Sequence, residues 1–533
     1  MDKIIDVHKS KIFTMTGLKQ FTYKSSIIFV FSGILLFNAC SGEHTKQSRN
    51  PNIVYILTDD MGYGDVSVLN DSAAWETPNM DRLAKEGMIF TDAHSGSAVC
   101  TPTRYGILTG RYAWRSGLKS GVLWSWDRAL IEKDRMTVAS LLRENGYRTA
   151  GIGKWHLGLG WQYSDEDPDS VDFSKPILDG PVTNGFDYFY GITASLDIPP
   201  YVYIENDKIT DTNVKYTENK DKYGWWRKGL TAGDFSHEQV LPHLTQKAVS
   251  FINQHAADKE PFFLYYAMPA PHTPILPTKE FQGKSGVNPY GDFVLEVDYM
   301  IGQVMKAVEK NKLSENTLII VTSDNGCSPA ADFKELAKFG HNPSYIFRGE
   351  KADVFEGGHR IPFIVRWPGK VKSGTSSTQT ICLTDLLATC AAIVDYKIPE
   401  NAGEDSYNLL PLFLNPDYGK TIREATVHHS INGSFSIRKG KWKLEMCPGS
   451  GGWSYPTPKQ VKNMDLPPIQ LYDLENDISE EHNVYDKYPE VVKEMEDMLK
   501  KYIIDGRSTP GEPQKYIQPE NWPGIAWMKD GNN

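Results

Sequence analysis

The sequence predicts an α/β fold, a doubly wound, mixed and mostly parallel sheet flanked by helices, with a smaller α+β subdomain at its C-terminal end. Three observations predict it. Apolar runs of the buried-strand type alternate with helical patterns up to about residue 400. Polar, reactive side chains directly follow those runs, as expected at the carboxyl ends of parallel strands. Beyond residue 400 the pattern changes to a hairpin and an amphipathic helix.

The elements of the main sheet follow from local patterns. Predicted helices begin at Thr77-Pro78 and at Thr137, and each ends before a glycine, Gly87 and Gly146. A longer helix buries one side that runs from Val294 to Val308. The predicted strands are 52–57, 147–152, 262–266 and 318–322. These elements alternate along the chain, which favours parallel pairing.

The rest of the chain divides by composition. Two stretches rich in aromatic residues, 161–190 and 197–235, are predicted to be loop-rich insertions that shape a cleft. A hairpin at 434–446, a strand at 471–474 and a helix at 488–504 make up the C-terminal subdomain. The predicted organisation is a signal segment at 1–40, a linker at 41–50, a catalytic domain at 51–400 and the subdomain at 401–533.

Charge and cysteine content exclude two classes of protein. The formal net charge of -10 over 533 residues argues against a nucleic-acid-binding protein, which should be basic. An acidic protein that acts on an anionic substrate needs a local basic pocket. The 6 cysteines include no C-x-x-C pair and are too few for a disulfide scaffold. Cys382 and Cys390 flank an apolar run and are predicted to be packed rather than bridged.

The N-terminus is typical of an export signal. Lys19 and Lys24 precede an apolar run, 27–37, that is too short to span a bilayer. The run ends at Cys40, which predicts a bacterial lipoprotein lipidated on that cysteine and placed in the periplasm or on the outer membrane. An ordinary cleaved signal or an uncleaved anchor is the alternative.

The residue pattern around Cys100 is not explained by packing against a hydrophobic core. Pro102 lies two residues after Cys100, and Arg104 lies four residues after it. Gly110 marks the end of the predicted helix that Cys100 begins. The pattern places the Cys100 side chain at a helix N-terminus, where unpaired N–H groups and the helix dipole favour an anion. A buried structural cysteine is the commoner interpretation of any single cysteine.

Two predicted strand ends carry a set of oxygen ligands. Asp59 and Asp60 follow the first strand, and Asp324 and Asn325 follow the fourth. Three carboxylates and an amide oxygen suit Ca²⁺ or Mg²⁺ rather than zinc. A single aspartate after a strand is usually a turn former, but two pairs together favour a metal site.

Five cationic or protonatable residues supply the basic pocket that the acidic chain needs. They are Arg104, Lys154, His156, His272 and Lys351. Arginine offers a planar fork for sulfate oxygens, and lysine offers a point charge. Lys154 and His156 follow a predicted strand among apolar neighbours, and His272 lies in a proline-stiffened loop.

Taken together, these segments resemble type I sulfatases, the formylglycine-dependent sulfatases with an alkaline-phosphatase-like fold. The blocks that carry the resemblance occur in family order over nearly the whole mature chain. They are 52–64 (NIVYILTDDMGYG), 100–111 (CTPTRYGILTGR), 151–157 (GIGKWHL), 271–274 (PHTP), 322–326 (TSDNG), 348–351 (RGEK), 356–360 (EGGHR) and 471–483 (LYDLENDISEEHN).

The resemblance implies a sulfuric ester hydrolase with one Ca²⁺ per chain and with Cys100 oxidised to formylglycine by a maturation enzyme. Asp59, Asp60, Asp324, Asn325 and modified Cys100 would bind the metal. Arg104 would hold the aldehyde hydrate, and Lys154 and Lys351 would grip the sulfate. One hydroxyl of the hydrate would attack sulfur, with Asp324 as the activating aspartate. His272 would protonate the leaving group, and His156 would assist release of sulfate.

The expected substrate is a sulfated glycan, with 6-O-sulfated galactose or N-acetylgalactosamine as the favoured sugar. Candidate sugar contacts are Trp124, Trp126, Asp127, Arg128, Asp197 and Tyr201, for each of which packing of an insertion is the alternative. Two other functions stay open at this point: a phosphodiesterase or phosphonate monoester hydrolase of the same superfamily, and a non-catalytic protein that binds sulfoglycans. No nucleic-acid partner is expected, and the membrane is expected to be contacted only through the lipid anchor.

Overall fold

The central feature of the fold is a mixed sheet that a computed structural model of the chain describes over residues 50–164 and 170–528. The predicted signal segment 1–40 with Cys40, and the linker up to residue 49, lie outside the described residues. Over the described ranges the chain forms ten α-helices: Pro78–Lys85 (α1), Cys100–Thr109 (α2), Val138–Glu144 (α3), Val240–His255 (α4), Pro289–Lys310 (α5), Phe333–Ala337 (α6), Glu356–His359 (α7), Leu386–Ile393 (α8), Leu410–Leu414 (α9) and Pro489–Asp505 (α10).

The same ranges hold eighteen strands. They are Asn52–Asp59 (β1), Met88–Phe90 (β2), Ala93–His94 (β3), Arg148–Lys154 (β4), Tyr188–Ile192 (β5), Tyr203–Glu205 (β6), Lys208–Ile209 (β7), Val214–Asn219 (β8), Trp226–Ala232 (β9), Phe262–Pro271 (β10), Thr317–Ser323 (β11), Phe363–Arg366 (β12), Thr375–Ser377 (β13), Ile381–Cys382 (β14), Thr426–His429 (β15), Phe435–Lys439 (β16), Trp442–Glu445 (β17) and Gln470–Asp473 (β18). None of the helices in the described part of the chain is long and apolar enough to cross a bilayer.

Five parallel strands form the middle of the main sheet. In the described residues its order is β13-β2-β12-β11-β1-β10-β4-β5-β6-β7, and the run from β11 to β5 is parallel throughout. β12 and β6 flank that run in antiparallel pairing. β1 is buried along its whole length, as are β10 and β11, which explains their continuous apolar sequences. The predicted α/β class with a mixed, mostly parallel sheet is confirmed.

The C-terminal part forms a second, antiparallel sheet of order β15-β16-β17-β18, with α10 against it. Its hydrophobic core includes Tyr112 and Trp114 from the catalytic part of the chain, and the described residues from 50 onward form one compact unit. The hairpin, strand and helix predicted there are confirmed within one or two residues.

The insertion 197–235 differs from the prediction. It was expected to be loop-rich, but it contains four strands: β6 and β7 extend the main sheet, and β8 and β9 form a hairpin. These strands are short or exposed, with charged residues on β8, so their apolar pattern is too weak to predict pairing. β10 likewise runs on to Pro271 beyond its predicted end, although prolines at 269 and 271 lack an N–H to donate to a neighbouring strand.

Candidate active site

The carboxyl ends of four central strands converge on one buried site, the catalytic edge. β1 ends at Asp59, β4 ends at Lys154, and His272 follows β10. Asp324 and Asn325 follow β11, while α2 brings Cys100 and Arg104 against them. The structure therefore brings together the residues predicted for the metal and for catalysis, and Lys351 reaches the same place from the segment before α7.

Cys100 is the first residue of a ten-residue helix. Val99 precedes it with extended backbone, and Gly110 ends the helix in the left-handed conformation at φ 63°. The Cys100 side chain is buried, and burial raises the pKa of its thiol. A neutral buried thiol is a poor nucleophile, so the unmodified residue is not suited to attack a substrate.

Arg104 links the nucleophile helix to the strand ends. Its Nη2 and Nε donate to Asp324 Oδ2 at 2.7 and 3.1 Å, and its Nη1 donates to the carbonyl of Lys154 at 3.2 Å. Both Arg104 and Asp324 have no exposed surface. The arginine therefore holds α2 in a fixed position relative to β11 and β4.

Three ion pairs balance three carboxylates at the catalytic edge. Lys154 Nζ lies 2.7 Å from Asp59 Oδ2, and Lys351 Nζ lies 2.6 Å from Asp60 Oδ1. With Arg104 on Asp324, every carboxylate has a cationic partner, and Arg104 Nη2 also lies 3.5 Å from Asp59 Oδ1. Gly153, at φ 114°, allows β10 to approach β4 just before Lys154, because a Cβ there would meet the Ala267 carbonyl oxygen at 1.8 Å.

The paired charges set the pKa values of the carboxylates. Burial alone would raise the pKa of Asp59, but the cationic neighbours, Lys154 first, outweigh it and hold that pKa below its usual range. Burial and the nearby Asp59 charge raise the pKa of Asp324 to about 6. A divalent cation among these carboxylates would oppose that rise and keep Asp324 ionised.

Two buried oxygens at the catalytic edge indicate a place for a metal ion. Within the described residues, Asp59 Oδ1 and Asn325 Oδ1 have no hydrogen-bond partner. Asn325 Nδ2 donates to Asp60 Oδ1 at 2.7 Å, which fixes the amide so that its oxygen is the free end. Oxygen atoms left without donors are what a hard cation binds, so these residues fit a site of the Ca²⁺ or Mg²⁺ type.

The two histidines each use one ring nitrogen for a backbone carbonyl. His156 Nε2 lies 2.8 Å from the Leu123 oxygen, and His272 Nδ1 lies 2.6 Å from the Thr273 oxygen. A carbonyl only accepts, so these nitrogens carry hydrogen. His156 Nδ1 has no partner among the described residues, and burial together with Lys154 lowers the pKa of this ring well below its usual value. His272 Nε2 is the free nitrogen and lies 3.6 Å from Asp60 Oδ2.

The candidate sugar contacts separate into an outer group and a packed group. Trp124 is 49% exposed and directly follows Leu123, whose carbonyl holds His156. Arg128 is exposed, Trp126 is partly buried against the core, and Asp127 accepts from the Trp124 N–H at 2.6 Å. Tyr201 is a correction: it is 2% exposed and its hydroxyl donates to the Arg227 carbonyl at 2.7 Å, so it packs the insertion and has no free face for a sugar.

Sequence analysis missed Arg227 and Trp225. The Arg227 guanidinium lies 5.1 Å from the Trp124 ring centre and 4.8 Å from that of Trp225, and it forms an ion pair with Asp197. Trp225 is 37% exposed. The pairing of Arg227 with Trp124 spans about a hundred residues, and the aromatic density of the insertion was the one signal for it.

Comparison with known proteins identifies the family of this chain. The family model described as Sulfatase matches residues 51–396. An N-acetylgalactosamine-6-O-sulfatase of Bacteroides thetaiotaomicron is 36% identical and covers 89% of this chain and 98% of its own length. Human arylsulfatase A is 33% identical, covering 88% of this chain and 90% of itself.

Solved structures show the same fold. A sulfatase from a study of glycosaminoglycan metabolism by Bacteroides thetaiotaomicron superposes with a TM-score of 0.76 at 35% identity, covering 85% of this chain and 99% of that one. The protein Ps i-CgsB in complex with a neocarrahexaose superposes with a TM-score of 0.66 at 26% identity, covering 90% of this chain and 98% of that one. The chain belongs to the sulfatase family, and it is a sulfuric ester hydrolase.

Proposed function

We propose that this sulfatase removes the 6-O-sulfate of N-acetylgalactosamine or galactose from a glycan, with formylglycine formed from Cys100 and one bound Ca²⁺. The observation that carries the proposal is the convergence of buried Cys100 with three carboxylates and three cations at one sheet edge. The choice of sugar rests on the relative named N-acetylgalactosamine-6-O-sulfatase, which aligns over almost its whole length.

The metal would be held by Asp59, Asp60, Asp324 and Asn325, whose oxygens match the preference of Ca²⁺. Bound there, Ca²⁺ supplies positive charge that favours an ionised nucleophile and an anionic ester. The three carboxylates are balanced by Arg104, Lys154 and Lys351. A divalent ion therefore makes the site net positive, as an anionic sulfate ester requires.

Cys100 stands where a modified side chain would be used. An aldehyde hydrate at this position supplies one hydroxyl as nucleophile and a second that allows sulfate to be released. Arg104 packs in the same helix with its guanidinium on Asp324, and thereby keeps that carboxylate beside the nucleophile. We infer that a maturation enzyme of the host carries out the oxidation of Cys100.

The cationic side chains orient the sulfate. The ammonium groups of Lys154 and Lys351 lie at the catalytic edge, where Lys154 donates to Asp59 and Lys351 donates to Asp60. Each is carried by a long side chain. When a metal ion takes those carboxylates, both ammonium groups become available to sulfate oxygens. Lys154 comes from the end of β4 and Lys351 from the segment before α7, so the two ammonium groups reach the sulfate from different parts of the chain.

The two histidines of the site, His156 and His272, have different roles. His272 Nε2 is free to hold the proton that the leaving sugar hydroxyl needs, because Nδ1 is already bound to the Thr273 carbonyl. His156 is neutral because its pKa is lowered, and its bare Nδ1 can accept a hydrogen bond from a group that enters the site. Each ring is oriented by a backbone carbonyl and so is preorganised for its task.

The sugar would lie against the outer surface formed by Trp124, Arg227 and Trp225. Their exposed aromatic faces suit the apolar side of a sugar ring, and Arg227 suits its hydroxyl or carboxylate groups. Asp197 holds Arg227 in place. Trp126, Asp127 and Arg128 shape the turn that carries Trp124.

The place of action follows from the N-terminal segment. We propose export as a lipoprotein anchored through Cys40, in the periplasm or on the outer membrane of a bacterium. The apolar run and the cysteine that follows it support this assignment. Labelling with a radioactive fatty acid, lost in Cys40→Ala, would test it.

A substrate panel tests the reaction and the sugar together. Protein matured in a host with a formylglycine-generating enzyme should release sulfate from 6-O-sulfated N-acetylgalactosamine or galactose faster than from 4-O- or 2-O-sulfated sugars. Preference for another position would contradict the choice of sugar. A phosphodiester or phosphonate ester turned over faster than any sulfate ester would contradict the reaction. Mass spectrometry of the Cys100 peptide reports whether the residue is modified.

A further inference from the structure

Three histidines that are not part of the catalytic edge lie together in the interior. They come from three elements: His94 from β3, His359 from α7 and His428 from β15 of the small sheet. All three have no exposed surface. The rings of His359 and His428 stack with centres 3.8 Å apart, and the His94 ring lies 4.9 Å from that of His428.

The hydrogen positions of two of these rings follow from their outer partners. His94 Nε2 lies 2.7 Å from Asp92 Oδ1, and His359 Nε2 lies 3.1 Å from the Val354 carbonyl oxygen. Burial would raise the pKa of Asp92, but Arg360 and Arg438 outweigh it and keep the carboxylate ionised. Both partners only accept, so both Nε2 atoms carry hydrogen.

The inner nitrogens of this pair consequently face each other. His94 Nδ1 and His359 Nδ1 are 3.0 Å apart. In neutral rings with hydrogen on Nε2, each Nδ1 presents a lone pair. Two lone pairs at that distance repel, so a positive charge between them is required.

The third ring supplies a further unused nitrogen. His428 Nδ1 lies 3.2 Å from the Ser436 hydroxyl, while Nε2 makes no hydrogen bond to any described residue. One nitrogen of each of the three rings falls within 4.8 Å of the other two. Burial lowers the pKa of all three rings, and the neutral form is the one that binds metals.

We propose that His94, His359 and His428 form a second, buried metal site that takes a Zn²⁺-type transition-metal ion. Imidazole nitrogen suits zinc, whereas the oxygen ligands of the catalytic edge suit calcium, so the two sites select different ions. Asp92 and the Val354 carbonyl hold the outer nitrogens, as partners of metal-bound histidines do. Since the rings of His359 and His428 are parallel, ligation turns His428 out of the stack.

The surrounding charges agree with an added cation. Four buried carboxylates, Asp92, Glu356, Glu445 and Glu480, surround three cations, Arg360, Arg438 and Lys443. Burial raises the pKa of Glu445, so three ionised carboxylates face three cations, and the cluster has no excess positive charge that would oppose a metal ion. A metal ion here would tie the small sheet, through β15, to α7 and to the strand that precedes the Cys100 segment.

Metal analysis of tag-free protein tests the site, because a histidine tag would itself bind zinc. Protein expressed with zinc in the medium and then treated with a calcium-selective chelator should retain about one zinc per chain. His428→Gln should lose it, and His482→Gln should not, since His482 is exposed. Equal zinc content in wild type and His428→Gln would overturn the proposal.

A second measurement needs no variant and so does not depend on a variant folding. Wild-type protein expressed with Co²⁺ in place of zinc should show the strong visible absorption of a tetrahedral nitrogen-ligated ion. Oxygen ligands at the catalytic edge give weak absorption, which separates the two sites. Wild type that holds neither zinc nor cobalt would overturn the proposal and leave a proton shared between His94 and His359 as the positive charge. Neither measurement uses sulfate release, so the result is independent of the proposed function.

Discussion

Two buried clusters of charge in this molecule have similar composition and different uses. The catalytic edge pairs Asp59, Asp60 and Asp324 with three cations, one of which, Arg104, approaches two of the carboxylates. The ionic cluster behind it consists of Asp92, Glu356, Glu445, Glu480, Arg360, Arg438 and Lys443. In the ionic cluster, Lys443 Nζ lies within 3.4 Å of three glutamates. A lysine on a single carboxylate is free to change partner, whereas one enclosed by three carboxylates is locked.

The difference shows how the same residue types serve binding or assembly. The catalytic edge lies where parallel strands end, so its side chains meet an opening. The ionic cluster joins α7 to β17 and joins Asp92, two residues after β2 of the main sheet, to β16 of the small sheet. We expect changes at the catalytic edge to remove activity and leave stability, and changes in the ionic cluster to do the reverse.

The largest expected effect is that of Cys100→Ala. Removing the residue that becomes the nucleophile should lower turnover of a sulfate ester by at least about 10⁴-fold, with an unchanged melting temperature. Kinetics and calorimetry on the same preparation measure both. Cys447→Ala is the control, because Cys447 is also buried but lies just after β17 of the small sheet. Full activity in Cys100→Ala would contradict the expectation that the catalytic edge is needed for activity.

In the ionic cluster, Glu356→Gln should lower the free energy of unfolding by about 3–5 kcal/mol, because it removes one buried charged partner from both Arg360 and Lys443. Glu356 Oε2 accepts from Arg360 at 2.8 Å, and Oε1 lies 3.2 Å from Lys443. Urea unfolding measures the change. Activity per folded molecule should stay at the wild-type value, and a loss of turnover without a loss of stability would contradict the assignment.

The catalytic edge could be predicted from the sequence, whereas the ionic cluster could not. Asp59, Lys154 and Asp324 could be placed together from sequence because each follows its own strand, and parallel strands align their ends. Nothing local in the sequence pairs Glu356 with Lys443, because that contact depends on how the small sheet docks. The strands of 197–235 were missed for a related reason: their pairing partners, and not their own apolar pattern, stabilise them.

The raised pKa of Glu445 makes the stability of the ionic cluster depend on pH. Burial, with the nearby Glu480 charge, raises the pKa of Glu445 well above the ordinary 4.5. A carboxyl with a raised folded-state pKa contributes stability that is present below pH 4.5 and is lost as pH rises toward the folded value. Glu445→Gln keeps the shape of the protonated acid and cannot ionise. The variant should match wild type within about 1 kcal/mol at about pH 5 and become the more stable of the two as pH rises.

Urea unfolding of wild type and Glu445→Gln between about pH 5 and pH 8 measures this difference. A gap that stays constant with pH would mean that Glu445 is ionised throughout, and the ionic cluster would then hold one more full negative charge.

The smallest expected effect concerns Arg227, on the outer surface that we propose binds the sugar. Arg227→Ala should lower kcat/KM for a sulfated disaccharide about fivefold, by removing the cation between Trp124 and Trp225. A small aryl sulfate, which ends before this surface, should be hydrolysed at the wild-type rate. Lys228→Ala is the matched control, since Lys228 is the next cation on β9 and lies over Tyr216 instead. Because Arg227 is 37% exposed in its side chain, its loss should leave the free energy of unfolding within about 0.5 kcal/mol, the range of ordinary surface substitutions. An equal loss on both substrates would place Arg227 in support of the site rather than in contact with the sugar.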